Sequence, residues 1–170
     1  MKIFQKVQIS QRNEMSKKDR KRFAKDILEQ FQLEIAAENL IVSKYKNRFF
    51  IVSDSEKPLF FNLKNFYYPT INFLSVEENI QNIKIPRIVL DKNARRPIIG
   101  GADVMARGIY VNFDLCDDFK KDDIVYVKIG EEIIAVGKTL YPKNEIKEDL
   151  NGEAVEIYHV LNDDLHSNCF

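Results

Sequence analysis

A glycine-rich segment with arginines around it is the part of the chain whose residue types best fit a binding chemistry. Gly100-Gly101-Ala102-Asp103-Val104-Met105-Ala106-Arg107-Gly108-Ile109 holds three glycines and two alanines in ten positions. Small residues let another molecule come close to the backbone. Arg95, Arg96 and Arg107 lie in or beside the segment, and a guanidinium pairs with phosphate through a planar fork. This combination favours a nucleic-acid surface over a catalytic pocket.

Groups that often carry catalysis are poorly placed in this sequence. Gly137-Lys138-Thr139 is similar to the end of a P-loop, but that motif needs a glycine where this chain has Glu132. Cys116 lies among aspartates, which raise a thiol pKa instead of activating the thiol. Asp103 has no histidine or acid nearby in sequence, so we expect it to accept backbone N–H groups of a turn. The sequence therefore predicts neither an enzyme nor a cofactor site.

Metal binding and base stacking are weaker alternatives. Three loosely spaced ligands near the C-terminus are weak evidence for zinc, which usually has four ligands in structural sites; they are His159, His166 and Cys169. Aromatic rings can stack on unpaired bases. Phe66, Tyr67 and Tyr68 could do so, but their position beside Pro69 favours a core role for most of them, with Tyr67 or Tyr68 as the candidates for exposure.

A second group of cations belongs to a predicted helix near the N-terminus. Ser16 and Asp19 have the spacing of a capping box, and apolar residues recur at helical intervals behind them, which predicts a helix over about residues 17–32. Cations near a helix N-terminus cost about 0.3–1 kcal/mol each, so their retention favours a role in binding, with plain solvation as the alternative. These cations are Lys17, Lys18, Arg20, Lys21, Arg22 and Lys25.

Composition limits the class of protein and its compartment. The chain of 170 residues has 26 basic and 26 acidic residues, but the first 25 positions hold nine basic residues against two acidic ones. Apolar runs are too short for a membrane span of roughly 20 residues, and no signal peptide is expected. Two cysteines without a CxxC motif fit a reducing compartment. We therefore expect a cytoplasmic protein.

The remaining apolar pattern predicts short strands. In the first half we expect strands near residues 40–42, 49–52 and 59–61, a hairpin turn at Lys46-Asn47 and a short helix after Thr70. The polar segment 77–82 is the expected domain boundary. In the second half we expect strands at 87–90, 109–111, 124–129, 133–137 and 155–160, with a helix after Asp91 that Pro97 keeps short. Such spacing favours a small barrel.

Several of these segments together resemble the PUA domain, an RNA-binding module, and more narrowly the malignant T-cell-amplified sequence family, in particular its compact archaeal relatives. The resemblance spans nearly the whole chain. It implies an α+β fold, with an N-terminal α/β pre-PUA domain over residues 1–80 and a C-terminal PUA pseudo-β-barrel over residues 84–165. The segments that carry it are Ile88-Val89-Leu90-Asp91-Lys92-Asn93-Ala94, Gly101 to Met105 with Gly108, Ala135-Val136-Gly137, Leu59-Phe60-Phe61, Tyr68-Pro69-Thr70 and Ile157-Tyr158-His159-Val160.

The family resemblance implies no catalytic activity. It implies a role in translation initiation or recycling on the small ribosomal subunit, with rRNA or tRNA bound and, in a eukaryote, a partner similar to density-regulated protein. In PUA modules RNA lies against the short helix and the glycine segment. The corresponding contacts are expected at Lys92, Arg95, Arg96, Gly100, Gly101, Ala102 and Arg107, with backbone amides admitting RNA closely and the arginines pairing with phosphates.

This chain departs from the family pattern at a few positions. Arg107 stands where proline usually precedes the last glycine, and Asn93 stands where glycine is usual; asparagine tolerates left-handed geometry. Arg95, Arg96 and Pro97 occupy positions that are more often helical or apolar. An alternative from another class also stays open. The protein could be an adaptor that recruits a protein partner through its N-terminal domain, with the barrel as a scaffold.

Overall fold

The computed structural model describes residues 3–6, 8–45, 49–55 and 57–167. Contacts divide the chain into two compact units. We call Lys6–Lys84 with Asp164–Phe170 the N-terminal unit, and Met1–Gln5 with Ile85–Asp163 the C-terminal unit. Each unit therefore includes a short segment from the opposite end of the chain, an exchange that local sequence patterns do not reveal.

In its described residues, the N-terminal unit consists of an antiparallel five-stranded sheet and three helices. Its sheet order is β1-β2-β3-β4-β5, so neighbours in sequence are neighbours in space. The elements are β1 (Ile9–Glu14), α1 (Lys17–Phe31), β2 (Ile41–Tyr45), β3 (Phe49–Ser53), β4 (Pro58–Leu63), β5 (Phe66–Pro69), α2 (Ile71–Leu74) and α3 (Glu77–Asn82).

Helix α1 packs on this sheet through one apolar stripe. Phe23, Ile27 and Phe31 recur at four-residue spacing and are all buried. The ring of Phe23 meets the rings of Phe60 and Tyr67 edge-on, at centroid distances of 5.8 and 5.1 Å, a favourable arrangement for aromatic pairs. This stripe fixes which side of α1 faces the sheet and leaves the opposite side to solvent.

A side-chain amide joins α1 to the edge of the sheet. Gln30 donates from Nε2 to the carbonyl of Tyr67 at 2.6 Å and accepts the Tyr67 N–H at 3.1 Å. These two hydrogen bonds satisfy the N–H and C=O of Tyr67, which would otherwise be unpaired on the edge strand β5. It also holds the position of Tyr67 relative to the helix.

The C-terminal unit contains a second five-stranded sheet, of order β6-β8-β9-β10-β7. Strands β6 and β8 are parallel and the other neighbouring pairs are antiparallel. Its elements are β6 (Arg87–Val89), α4 (Arg95–Ile99), β7 (Val104–Met105), α5 (Ala106–Val111), β8 (Ile124–Ile129), β9 (Glu132–Thr139) and β10 (Glu153–Val160), with 3₁₀ turns at Lys92–Ala94, Phe113–Leu115 and Lys143–Glu145.

An irregularity in β10 involves Asp103. The register between β9 and β10 shifts between Ile157 and His159. There the N–H of Ile157 donates to the Asp103 carboxylate at 2.7 Å. Asp103 thus accepts a backbone N–H group, as expected of this side chain, and that N–H belongs to a strand residue 54 positions away.

The observed elements confirm the α+β class, with an N-terminal helix-and-strand region and a C-terminal PUA-like barrel. The predicted helix over 17–32 and most predicted strands are present. The prediction of a strand at 109–111 was wrong, because the segment belongs to helix α5. Ala106 and Ile109, one helical turn apart, are both buried there. Segment 77–82 forms α3 within the N-terminal unit, and β1 was not predicted. The expected turn Lys46-Asn47 lies outside the described residues.

Among the described residues, no helix is both long and apolar enough to cross a membrane.

Candidate nucleic-acid interface

The outer side of α1 forms a cationic surface. Ser16 caps the helix by accepting the Asp19 N–H at 3.1 Å, and Asp19 is the acidic residue of the first turn. The apolar stripe is buried, and five cations on the other positions of the helix are exposed. Lys17, Lys21 and Lys25 follow each other at four-residue intervals, and a parallel row consists of Lys18 and Arg22. We call these five residues the α1 basic face.

The cations of this face are mostly unpaired. Lys25 lies 3.6 Å from Glu29, and both side chains are largely exposed, so this ion pair is weak. Within the described part of the chain, Lys17, Lys18, Lys21 and Arg22 have no carboxylate at ion-pair distance. Arg20, the sixth predicted cation, is half-buried near the apolar stripe. The α1 basic face thus offers positive charge that the protein itself does not neutralise.

The predicted glycine site forms the C-terminal turn of a short helix. The 3₁₀ turn Lys92–Ala94 leads into α4, which ends after Ile99. The backbone amides of the next three residues donate to α4 carbonyls: Gly100 to Arg96 at 3.0 Å, Gly101 to Ile98 at 2.8 Å and Ala102 to Pro97 at 3.0 Å. Gly101 has a φ of 97°, which favours glycine. The expectation that these amides are open to RNA was wrong, because the helix end uses all three.

The arginines of α4 differ in availability. Arg95 donates to one oxygen of Glu132 from Nε at 3.0 Å and from Nη2 at 2.7 Å, so part of its charge is already neutralised. Arg96 and Lys92 are exposed, and neither side chain has a hydrogen bond or ion pair among the described residues. Asn93 lies in the 3₁₀ turn and does not adopt a positive φ.

Arg107 belongs to a different element. It lies in the first turn of α5, is exposed, and follows the short strand β7. The structure therefore brings together the α4 residues and the glycine turn, whereas Arg107 is an exposed cation on α5.

Charge is unequally divided between the units. The N-terminal unit has 14 Lys and Arg against 11 Asp and Glu, and the C-terminal unit has 12 against 15. A polyanion is attracted by a local excess of positive charge. By this criterion the N-terminal unit, which carries the α1 basic face, is the unit that attracts phosphate more strongly.

Sequence reasoning missed a cleft in the N-terminal unit. A cavity of about 580 Å³ lies between α1 and the sheet. Charged side chains of α1 and polar and aromatic side chains of the strands line it, among them Arg22, Asp26, Lys44, Phe50, Asn62 and Tyr67. These residues are scattered over more than forty positions, and only the strand register brings them together. The alternation of apolar and polar residues on the strands was the one available signal.

The aromatic residues at 66–68 are arranged differently from the expectation. Tyr67 and Tyr68 are buried, with 8% and 2% exposure, and Phe66 is the exposed one at 55%. Burial raises the pKa of Tyr67 to about 12, and the negative charge of Asp26 contributes to the rise. Tyr67 is therefore a neutral phenol at the base of the cleft, and most of this aromatic segment belongs to the core, as its neighbour Pro69 indicates.

The thiol and the histidine have structural roles. Cys116 is buried and donates from Sγ to the carbonyl of Asn112, and burial raises its thiol pKa, with the Asp117 charge as a smaller cause. His159 is fully buried, with Nδ1 2.8 Å from the Asp163 carboxylate and the Phe4 ring edge-on. Across the described residues, no three His, Cys, Asp or Glu side chains are arranged to hold a metal ion.

Comparison with protein families matches both halves of the chain. Residues 82–164 match the family described as "elF2D, PUA domain", and residues 11–76 match a domain of unknown function, DUF1947. An uncharacterized protein of Methanocaldococcus jannaschii is 30% identical over 168 residues, covering 92% of this chain and 96% of the relative. A malignant T-cell-amplified sequence 1 homolog of Dictyostelium discoideum is 29% identical over 131 residues, covering 75% and 70%.

The chain is a PUA-domain protein of the malignant T-cell-amplified sequence family. A hypothetical protein of Pyrococcus horikoshii has a similar structure, with a TM-score of 0.73, 26% identity, and coverage of 94% of this chain and all of that one. A conserved PUA domain protein of Thermoplasma acidophilum shares the fold, with a TM-score of 0.69 and 24% identity. The match covers 93% of this chain and 99% of that one. Helix α4 and the glycine turn lie in the part of the chain that matches the PUA domain. Helix α1 lies in the part that matches DUF1947.

Proposed function

We propose that this PUA-domain protein binds RNA in the translation apparatus without catalysing a reaction, and that it contacts rRNA of the small ribosomal subunit or tRNA during initiation or recycling. The family match supports an RNA-binding, translation-associated role. The observation that carries the proposal is the α1 basic face, where four cations lack any partner carboxylate in the described part of the chain.

The spacing of the α1 basic face fits a phosphate backbone. Successive lysines four residues apart on a helix are about 6 Å apart along its axis, which is close to the distance between neighbouring phosphates of an extended strand. Each phosphate that a lysine neutralises releases counterions, which supplies the sequence-independent part of the affinity. Lys17, Lys21 and Lys25 form such a row without help from any other element.

The α4 turn acts as a second, weaker contact. Lys92 and Arg96 are exposed and unpaired among the described residues, and the small residues Gly100 and Ala102 leave the surface open there. Arg95 already donates to Glu132 from Nε and Nη2, so its charge is partly neutralised and only its remaining N–H groups are free for phosphate. The amides of the glycine turn do not take part, so the contact at this site is made by side chains.

Sedimentation with isolated small ribosomal subunits tests the proposal. We expect the wild-type protein to sediment with the subunits and to stay in the supernatant after ribonuclease treatment. The double substitution Lys17→Glu with Lys21→Glu should abolish most of this binding, because it places repulsion within the α1 basic face. Lys120→Glu with Lys121→Glu changes the net charge equally at exposed positions of the C-terminal unit and should bind as the wild type does. Equal sedimentation of both variants would contradict the assignment of α1.

A protein adaptor is the second candidate, and exposed apolar side chains favour it. Leu28, Phe66 and Val76 of the N-terminal unit are 46, 55 and 46% exposed. Large exposed apolar residues are frequent at protein interfaces. If the adaptor role is the main one, a protein partner will co-purify stoichiometrically after nuclease treatment, and Phe66→Ser will release it while leaving RNA binding intact.

A further inference from the structure

The cleft between α1 and the sheet has the size and lining of a nucleotide site. Its volume of about 580 Å³ falls within the roughly 300–1,000 Å³ of typical small-molecule pockets. It lies entirely in the N-terminal unit. Arg22 belongs both to its lining and to the α1 basic face, so the cleft adjoins the surface proposed for RNA.

The floor of the cleft is a row of side chains on one face of the sheet. Lys44 pairs with Phe50, Phe50 with Asn62, and Asn62 with Tyr67 in the strand register. Residues directly opposite each other in antiparallel strands point to the same face. The rings of Phe50 and Tyr67 meet edge-on at 5.8 Å, and Phe50 is only half-buried, so its ring borders the open space. The row therefore provides an aromatic surface with an amide beside it.

The charged groups around this floor are not satisfied by the protein. Within the described residues, the side chains of Asp26, Arg22, Lys44 and Asn62 have no hydrogen-bond or ion-pair partner, although all line one cleft. Asp19 differs, because its carboxylate accepts the Ser16 hydroxyl at 2.7 Å. Arg22 and Lys44 are exposed and Asp26 is half-buried, so all three are available to a ligand. A site with a carboxylate, two cations and an aromatic ring suits a ligand that carries complementary groups of each kind.

We propose that the cleft binds an unpaired guanine nucleotide of RNA. An ionised carboxylate only accepts hydrogen bonds, and guanine is the base whose pairing edge has two adjacent donors, N1–H and N2–H₂. Adenine, cytosine and uracil each present an acceptor beside their donor, which would face the carboxylate of Asp26. The Phe50 ring stacks on the base, as aromatic residues do with single-stranded RNA. Arg22 and Lys44 bind the phosphate.

The surroundings of Tyr67 agree with this arrangement. Besides burial, the charge of Asp26 raises and the charge of Arg22 lowers the pKa of Tyr67. Both charged groups are therefore within electrostatic reach of the same ring. Asp26 and Phe50 line the same cleft, which is the arrangement that a base stacked on Phe50 and bonded to the carboxylate requires.

Titration with single mononucleotides tests the guanine site without using RNA. The inference rests on the proposed function for its biological setting, but GMP binding does not require the α4 turn or the lysine row. In NMR spectra, GMP is expected to shift the side-chain amide signals of Asn62 and Asn13, which line the cleft. AMP, CMP and UMP should bind roughly tenfold more weakly. Equal shifts with all four, or none, would overturn the guanine site, whatever the protein does with ribosomal subunits.

Substitution of Asp26 tests the specificity directly. Asp26→Asn replaces two acceptors by one acceptor and one donor, which complements the pairing edge of adenine. We expect GMP to bind roughly tenfold more weakly and AMP to bind at least as tightly as GMP. Glu29→Gln, on the same helix but outside the cleft, is the matched control and should retain the preference for GMP. An unchanged preference in Asp26→Asn, with an unchanged melting temperature, would refute the role of this carboxylate.

Discussion

At the scale of residues, two arginines differ in their availability for phosphate because one is paired with a carboxylate of the protein and the other is not. Arg95 and Arg22 are equal candidates in the sequence. The structure pairs Arg95 with Glu132 at 2.7 Å and leaves Arg22 without a carboxylate at ion-pair distance in the described chain. A guanidinium paired with a carboxylate has fewer free N–H donors and a partly neutralised charge, so it attracts a phosphate less strongly. The unpaired arginine is thus the stronger contact, a distinction that depends on a residue 37 positions from Arg95.

The buried phenol of Tyr67 makes stability depend on pH in alkali. Its pKa is about 12 in the folded protein, against 10.0 for an ordinary tyrosine. The unfolded chain therefore loses this proton first. The contribution to the free energy of unfolding is complete below pH 10 and is lost as the pH rises from 10 to 12. Urea unfolding across this range should show a steeper loss for the wild type than for Tyr67→Phe.

Tyr110→Phe is the control for this measurement, because Tyr110 is 40% exposed and its ring stays in contact with solvent in the folded state. That variant should follow the wild-type curve. Parallel curves for the wild type and Tyr67→Phe would mean that the phenol of Tyr67 is not desolvated by folding.

At the scale of elements, two glycines of the C-terminal unit have opposite reasons to be glycine. Gly137 lies in β9, where a Cβ would clash with the backbone carbonyl oxygen of Glu156 in β10. Gly108 lies in α5, and a Cβ there would meet only Leu90 Cδ2 at an ordinary 3.5 Å. Gly137 lets β9 and β10 come close together beside the irregularity of β10. At Gly108 the surrounding packing leaves room for a Cβ.

Alanine substitutions should separate these two cases. Gly137→Ala should destabilise the protein by about 1–3 kcal/mol or more, because the strands must move apart. Gly108→Ala should stabilise it by up to about 0.5–1 kcal/mol, because alanine is a better helix former. Thermal unfolding of both variants provides the comparison. A loss of stability in Gly108→Ala equal to that in Gly137→Ala would contradict the packing described for α5.

Elements were predictable from sequence where local signals agreed. For α1, the Ser16 cap and the spacing of Phe23, Ile27 and Phe31 indicate the same helix, and it forms over Lys17–Phe31. For α5, the β-branched and aromatic residues Ile109, Tyr110 and Val111 favour a strand, yet packing of Ala106 and Ile109 produces a helix. Propensity fails in such short elements because tertiary burial contributes more free energy.

At the scale of the molecule, the family and the α+β fold followed from sequence, but the arrangement of charge did not. The resemblance pointed to the glycine segment, whereas the structure uses its amides to close α4 and gives the C-terminal unit an excess of acids. The cleft could not be predicted, since Asp26, Lys44, Phe50 and Asn62 meet only through helix packing and strand register. Only a folded sheet brings such distant residues into one site.

The salt dependence of RNA affinity tests most directly the central claim that the α1 basic face provides the main phosphate contacts. The slope of log affinity against log salt should fall by roughly 1.4 in Lys17→Glu with Lys21→Glu, since each phosphate contact on single-stranded RNA contributes about 0.7. Arg95→Glu with Arg96→Glu should lower the slope less, because Arg95 is already paired with Glu132. A slope unchanged by the α1 substitutions and strongly reduced by the α4 substitutions would contradict this account.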